Sequence, residues 1–349
     1  MNQRIYRTSV WTGARSRSCR SVDRRVGALC AIGLVLLGFC CATLADMGSI
    51  PFEPGIRVIE PTQRALIACS GKEEILILST DLAADRNTKV LEVMPFPSEP
   101  KVTKADASIF SRVTELINDK FDWRDPRHAV YSMGAGDAAA GERRKPPAGR
   151  ITFHERIGAH DISVAHVERP ADFVEWARDY LRSQGVEGPV IPPALAAVVE
   201  DYIEDNFKWF VFDVVSLTTK PRSKDAIQFR FPCEFLYYPL RITRTEHGDT
   251  SVTLLIVTKF LLSDKLCLGF PRKRIAVVHK PVRFSAYELR SISEEIHTML
   301  GEPKSVAVRN WRIEGELSSF NDDVIFGDPR VVLDHVRAGR TRIPAKKPE

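Results

Sequence analysis

Ile151-Thr152-Phe153-His154-Glu155-Arg156-Ile157 and His160-Asp161-Ile162-Ser163-Val164-Ala165-His166-Val167-Glu168 flank the dipeptide Gly158-Ala159. Two alternating runs around a two-residue connection that begins with glycine predict an antiparallel hairpin, because glycine supplies the positive φ that a tight turn needs. Pairing outward from the turn sets Ile157 against His160, Glu155 against Ile162, Phe153 against Val164 and Ile151 against His166. One face is then mainly apolar. The other carries His154, Arg156, Asp161 and Ser163, with Arg156 opposite Asp161 as a favourable cross-strand pair.

Downstream, Pro170 suits the first position of a helix whose stripe is Phe173, Trp176, Ala177, Tyr180 and Leu181, ended by Gly185. A second helix follows Pro192-Pro193 with Leu195, Val198, Val199, Tyr202 and Ile203 on one face. Trp209 to Val215 is almost continuously apolar and reads as a central strand, and Ile227 to Phe231 alternates. Leu240 to Thr245 and Ser251 to Thr258, around His247-Gly248-Asp249, predict a second hairpin. Ser285 with Glu288 is a capping box opening a helix that runs to Gly301, and Val306 to Ile313 is the last expected strand.

Upstream, strand patterns cover Arg64 to Cys69, Glu74 to Thr80 and Lys89 to Met94, the last closed by Pro95-Phe96-Pro97. A helix over Asp106 to Lys120 puts Ile109, Phe110, Val113, Leu116 and Ile117 on one face. The expected fold is therefore α+β: mostly antiparallel sheets with hairpins, and four amphipathic helices packed on them. The glycine- and alanine-rich run 134–150 reads as a flexible loop between a β-rich part with one helix (46–133) and an α+β part (151–330), the two packed as one compact unit. Residues 331–349 read as a polar tail.

At the start of the chain, Val26 to Ala45 holds no charge, follows Arg24-Arg25 and ends in Thr43-Leu44-Ala45. A positive flank, an apolar run and small residues at the cleavage positions predict an export signal over 1–45. Two other readings stay open: an uncut membrane anchor, and a lipid on Cys40 or Cys41. Taking seven arginines and one aspartate away with this segment leaves the rest of the chain at a net charge of −1, although the whole carries +5. No basic stripe with interleaved aromatics remains, so nucleic-acid binding has no electrostatic support. Of seven cysteines, Cys69, Cys233 and Cys267 lie beyond the leader. In an oxidising compartment Cys233 and Cys267 form the candidate disulfide, and burial as small apolar residues is the alternative.

Gly158 to Val164, Phe173-Val174-Glu175-Trp176, Phe207 to Val211 and Tyr238 to Thr243 together resemble the uncharacterised bacterial family called domain of unknown function 2330. The resemblance covers roughly Arg57 to Thr258. It implies an exported protein and carries no catalytic residues with it. The chain departs from the family pattern at Asp46-Met47-Gly48, where closely spaced cysteines are implied.

No nucleophile elbow, zinc-helix motif, P-loop or dinucleotide fingerprint occurs. His154, His160 and His166 invite a metal reading, but His154 and His160 fall on opposite faces of the hairpin, and His160 and His166 lie about 20 Å apart along one strand. A site from His154, Asp161 and His247 needs tertiary convergence; otherwise His154 faces solvent, with His160 and His166 at strand ends near the rim. Arg241, Arg244 and Glu246 form an exposed sheet face able to bind an anionic ligand or partner, while Glu200-Asp201 and Glu204-Asp205 are solvated. The expected function is that of an exported, non-catalytic binding module without cofactor, whose partner is a protein or ligand of the cell envelope. Membrane contact is expected only through an uncut leader. A hydrolase or metal-dependent enzyme with a site assembled from distant His and Asp residues is the alternative.

Overall fold

The computed structural model describes residues 48–121, 150–157, 160–220, 222–223, 225–246, 248–262 and 267–340. The predicted leader, most of the predicted loop, the Gly158-Ala159 turn, His247, the side chain of Cys267 and residues 341–349 lie outside them. In chain order the strands and helices are β1 (Gly48–Pro51), β2 (Val58–Cys69), β3 (Glu73–Ala84), β4 (Thr88–Phe96), β5 (Lys101–Lys104) and α1 (Ser108–Phe121). There follow β6 (Arg150–Ile157), β7 (His160–His166), α2 (Pro170–Ser183), α3 (Pro193–Glu204), β8 (Trp209–Leu217), β9 (Arg222–Ser223), β10 (Ile227–Pro232) and β11 (Leu236–Tyr238). The last are β12 (Asp249–Thr258), β13 (Cys267–Gly269), β14 (Ile275–Val277), β15 (Val282–Ser285), α4 (Ala286–Ile292), α5 (Glu294–Met299), β16 (Ser305–Glu316), β17 (Val324–Phe326) and α6 (Pro329–Arg340).

The hairpin β6–β7 fixes one end of a five-stranded antiparallel sheet ordered β1-β4-β8-β7-β6. Its first three expected pairs form, as does Arg156 opposite Asp161. An irregularity between Ile151 and Phe153 then shifts the register, so Arg150 rather than Ile151 meets His166. The apolar run of β8 lies at the centre of this sheet, as a strand covered on both faces must. Helices α2 and α3 cover one face. Trp176 stacks its ring 3.8 Å from that of Phe212, and a Cβ on Gly48 of β1 would run into Leu195 of α3. Helix α2 ends in a Schellman motif at Gly185, φ +87°, with the N–H of Val186 donating to the carbonyl of Leu181.

A second, nine-stranded sheet runs β14-β16-β12-β2-β3-β10-β5, with β15 pairing β16 and β9 pairing β3. Its inner face (Leu78, Ile227, Phe229) packs on Met94, Val211 and Ile162 of the first sheet. Its outer face (Leu66, Ala68, Ile75, Ile77) packs on α1, α4 and α5 through Ile109, Phe110, Val113, Leu289 and Ile296. The order of layers is helices, sheet, sheet, helices. A short sheet β11-β17-β13 closes one end.

The fold is α+β with mostly antiparallel pairing, and two expectations about it need correction. Leu240 to Thr245 is no strand: Arg241–Thr245 is a 3₁₀ turn, and β12 pairs in parallel with β2 and antiparallel with β16 rather than folding back on its neighbour. There are six α-helices among the described residues instead of four. The expected helix from Ser285 breaks at Ser293, whose backbone is extended and whose hydroxyl accepts from the N–H of Ile296 to start α5. The sixth, α6, occupies part of the expected polar tail.

Candidate functional site

Arg241 and Arg244 sit three apart on the 3₁₀ turn, facing Asp201 and Asp205 of α3. Arg241 Nη1 lies 2.7 Å from Asp205 Oδ2 and its Nε 3.7 Å from Asp323 Oδ2, and its backbone N–H donates to Asp323 Oδ1 at 2.8 Å. The Tyr202 hydroxyl donates to the same Oδ1 at 2.6 Å, and the guanidinium stands 4.1 Å from the Tyr202 ring centroid. Arg244 pairs with Asp201. Glu246 Oε1 accepts from the backbone N–H and the hydroxyl of Ser49, at 3.2 and 2.8 Å. The expected exposed face is turned inward at Arg241, whose side chain is 13% exposed and whose partner Asp205 is 20% exposed, whereas Asp201 is paired and still 43% exposed. Burial works against the charge on Arg241, but Asp323, Tyr202 and Asp205 carry its pKa above the ordinary value. Burial likewise raises Asp323, against the lowering pull of Arg241 and of the hydroxyl and N–H it accepts from. These groups hold the 3₁₀ turn to the helix.

His154 and Asp161 come together, with Nε2 3.5 Å from Oδ1, while His154 Nδ1 meets the Ser163 hydroxyl at 2.8 Å. On their face Ser163 is buried, while His154 and Asp161 stay partly exposed and Arg156 is exposed. His247, the third member of that candidate, lies outside the described residues. Among the described residues no group of three or more His, Cys, Asp or Glu side chains is arranged to hold a metal ion.

His160 is not at the rim. It is 3% exposed and bridges the two sheets, with Nδ1 2.5 Å from Asp213 Oδ2 and Nε2 3.1 Å from the carbonyl oxygen of Asp225, just before β10. A carbonyl only accepts, so Nε2 carries a proton and the ring is held in one orientation. Around it is a small cavity of about 20 Å³, lined by Thr80, Glu92 and Asp213 among apolar walls. Glu92 stands directly opposite Asp213 in the register of β4 and β8. Thr80 Oγ1 and Asp213 Oδ1 face it without a partner. That volume holds about one water and no substrate. The signal for this site was in the sequence: Asp213 is the one charge within the apolar run Trp209 to Val215, and a buried carboxylate needs a partner.

A larger concavity, about 520 Å³, opens between α6 and the ends of β3 and β10, lined by Lys72, Pro97, Cys233, Phe235, Val331 and His335. The His335 ring lies 5.0 Å from that of Phe207 and 5.5 Å from that of Phe235. Burial lowers its pKa, against the raising effect of a bond to the Asn206 backbone. Burial, reinforced by Glu74, pushes the Cys233 thiol well up, and burial raises Cys69 to about 12. Both thiols are free. The groove thus presents a neutral imidazole and a neutral thiol, the reverse of the thiolate that nucleophilic cysteines need. No sequence motif marks it, because its lining comes from segments more than 200 residues apart.

The family model described as an uncharacterized protein conserved in bacteria (DUF2330) matches residues 41–265. The chain belongs to this family. No curated protein matches it. Among solved structures, baculovirus P35 is 12% identical with a TM-score of 0.37, over 80% of this chain and 99% of that one. A mutated baculovirus P35 after caspase cleavage is 10% identical with the same TM-score, over 77% and 99%. Overlap that low bears on neither fold nor function.

Proposed function

We propose that this DUF2330 protein is exported and acts in the cell envelope by binding a protein or ligand, without catalysis. The observation that carries the reading is the groove at Cys233 and His335. It has the volume of a ligand pocket and a mixed lining, apolar Pro97, Phe235 and Val331 beside charged Lys72, Glu234 and Asp334, yet burial holds its two reactive side chains neutral. Export is supported by the uncharged stretch Val26 to Ala45 behind Arg24-Arg25. Expressing the full chain with a C-terminal tag in a bacterial host, fractionating the cells and sequencing the N-terminus tests export: a chain starting at Asp46 outside the cytoplasm supports it, and an uncut cytoplasmic chain sinks it. Binding is tested separately with a photo-crosslinking residue at Val331. A discrete adduct that is absent when the residue stands instead at exposed Val190, and that is lost on Phe235→Ala, is expected. Identical adducts from both positions refute the groove as the contact.

A further inference from the structure

Seven large apolar side chains stand exposed among the described residues, and Phe260, Leu261, Val277, Val278 and Tyr287 of these lie on segments that border β16 and its neighbours. Phe260 is 75% exposed and Leu261 54%, in the loop that leaves β12. That loop is braced from both sides. The Thr258 hydroxyl donates to the Phe260 carbonyl and Arg309 Nη2 donates to the Leu262 carbonyl, each at 2.6 Å. Arg309 is itself only 9% exposed, so a mostly buried guanidinium holds the backbone while the two apolar side chains project.

Two exposed cations, Lys259 and Arg283, lie near the tip, and Glu288, held at Ser285 on the same edge, is already paired with Lys120. Thr258 and Arg283 both pair with Ala307, from opposite sides of β16, which puts Arg283 about two strand spacings, ~10 Å, from Thr258, the residue before Lys259. Lys280 leads into β15 on the same edge. All three are exposed, and among the described residues none has a carboxylate within ion-pair distance, whereas Arg57, Lys104 and Arg230 elsewhere on the surface are paired with Asp85, Asp225 and Glu73. Lys259 instead rests its ammonium 5.7 Å from the Phe260 ring centroid. A held apolar wedge flanked by Lys259 and Arg283 fits an interface that is oily inside and negative at its surface. A second copy of the chain would bring the same cations face to face.

We propose that the Phe260-Leu261 tip is a contact site for an anionic lipid surface. It adds to any hold through the leader, and it rests on the proposed export only in saying which membrane the chain meets. The test uses the full chain as Phe260→Trp, with Val190→Trp, also 75% exposed, as control. Vesicles of brominated phosphatidylcholine are prepared with and without phosphatidylglycerol. The apolar stretch before Ala45 carries both variants to lipid alike, so the difference between them reads the tip. Expected is blue-shifted, bromine-quenched emission from position 260 alone, on the anionic vesicles. With ~1 kcal/mol per cation near such a surface, Lys259→Gln and Arg283→Gln should each raise the lipid needed for half-maximal quenching about fivefold. Equal quenching at both positions, or equal quenching on neutral vesicles, overturns the proposal. So does shielding of position 260 that grows with protein concentration in the absence of lipid, which would assign the tip to self-association. Leu261→Trp repeats the reading should the Phe260 variant fold poorly, and export can fail without changing any of these outcomes.

Discussion

Replacing Arg241 by methionine removes the cation that faces Asp323, whose side chain is 3% exposed, and strips Asp205 of its 2.7 Å partner. Breaking one side of a buried pair costs ~3–5 kcal/mol, because the surviving charge is left in a poor solvent. The lower end applies here. Asp323 keeps the Tyr202 hydroxyl and the backbone N–H of residue 241, Asp205 is 20% exposed, and methionine refills most of the arginine stem. The cation–π contact with Tyr202 is lost as well, about 1 kcal/mol at a mostly buried site. A loss of ~3–4 kcal/mol lowers the melting temperature by about 6–16 °C for a domain of this size. Thermal and urea unfolding of the single variants Arg241→Met and Asp323→Asn and of their double, at pH 7, measure it. The double should cost less than the sum of the singles by ~1.5 kcal/mol or more, since each alone leaves a charge unpaired. The sign with pH is also fixed. A carboxyl whose folded pKa is raised contributes stability that is present below its unfolded pKa and lost as pH rises through the folded one. The deficit of Arg241→Met should therefore shrink as pH falls toward the ordinary carboxylate range. A single-variant loss below ~1 kcal/mol, or strict additivity, refutes the reasoning.

Glu74 is fully buried, and burial raises its pKa well above the usual value, against the N–H of Tyr237 that donates to Oε2 at 2.8 Å. Relative to Glu74→Gln, the natural protein should gain stability as pH drops from the folded pKa toward 4.5, at up to ~1.4 kcal/mol per pH unit; a flat difference in urea titrations run at several pH values contradicts this. Gly269 has φ +69°, and a Cβ there would stand 2.5 Å from the backbone oxygen of Asp323, so Gly269→Ala should cost ~2 kcal/mol or more, read as a fall in urea midpoint at unchanged m. Ser285 caps α4 in a box with Glu288, and Ser285→Ala should lose ~1 kcal/mol by the same measurement, with less than ~0.3 counting against the cap.

Local chemistry was legible and long-range pairing was not. The β6–β7 register could be read outward from its turn because residue-by-residue alternation and the Arg156–Asp161 pair point to one alignment; it failed only past the irregularity, where an extra residue flips the later side chains. The helix stripes of α2 and α3 matched the buried residues because a 3.6-residue period is set within each segment. The second hairpin failed for the opposite reason. Strand β12 finds its partners in β2, some 190 residues earlier, and in β16, and no turn chemistry announces either. His160 was misplaced because its position on the strand says nothing about the sheet that packs over it.

The acids on α3 and the bases on the turn after β11 show how near such a reading can come. Asp201 and Asp205 are four apart on an α-helix, which at 1.5 Å per residue separates them by about 6 Å along the axis. Arg241 and Arg244 are three apart on a 3₁₀ turn, which at about 2.0 Å per residue gives the same ~6 Å. The two spacings match, and the pairs form in opposite order, Arg241 with Asp205 and Arg244 with Asp201. The strand reading of Leu240 to Thr245 obscured this, since three residues of strand cover about 10 Å and would hold only one of the two pairs. Turning the backbone into a 3₁₀ coil satisfies both carboxylates and leaves the Arg241 amide to donate to Asp323. The polar residues that suggested a binding face therefore specify the path of the chain.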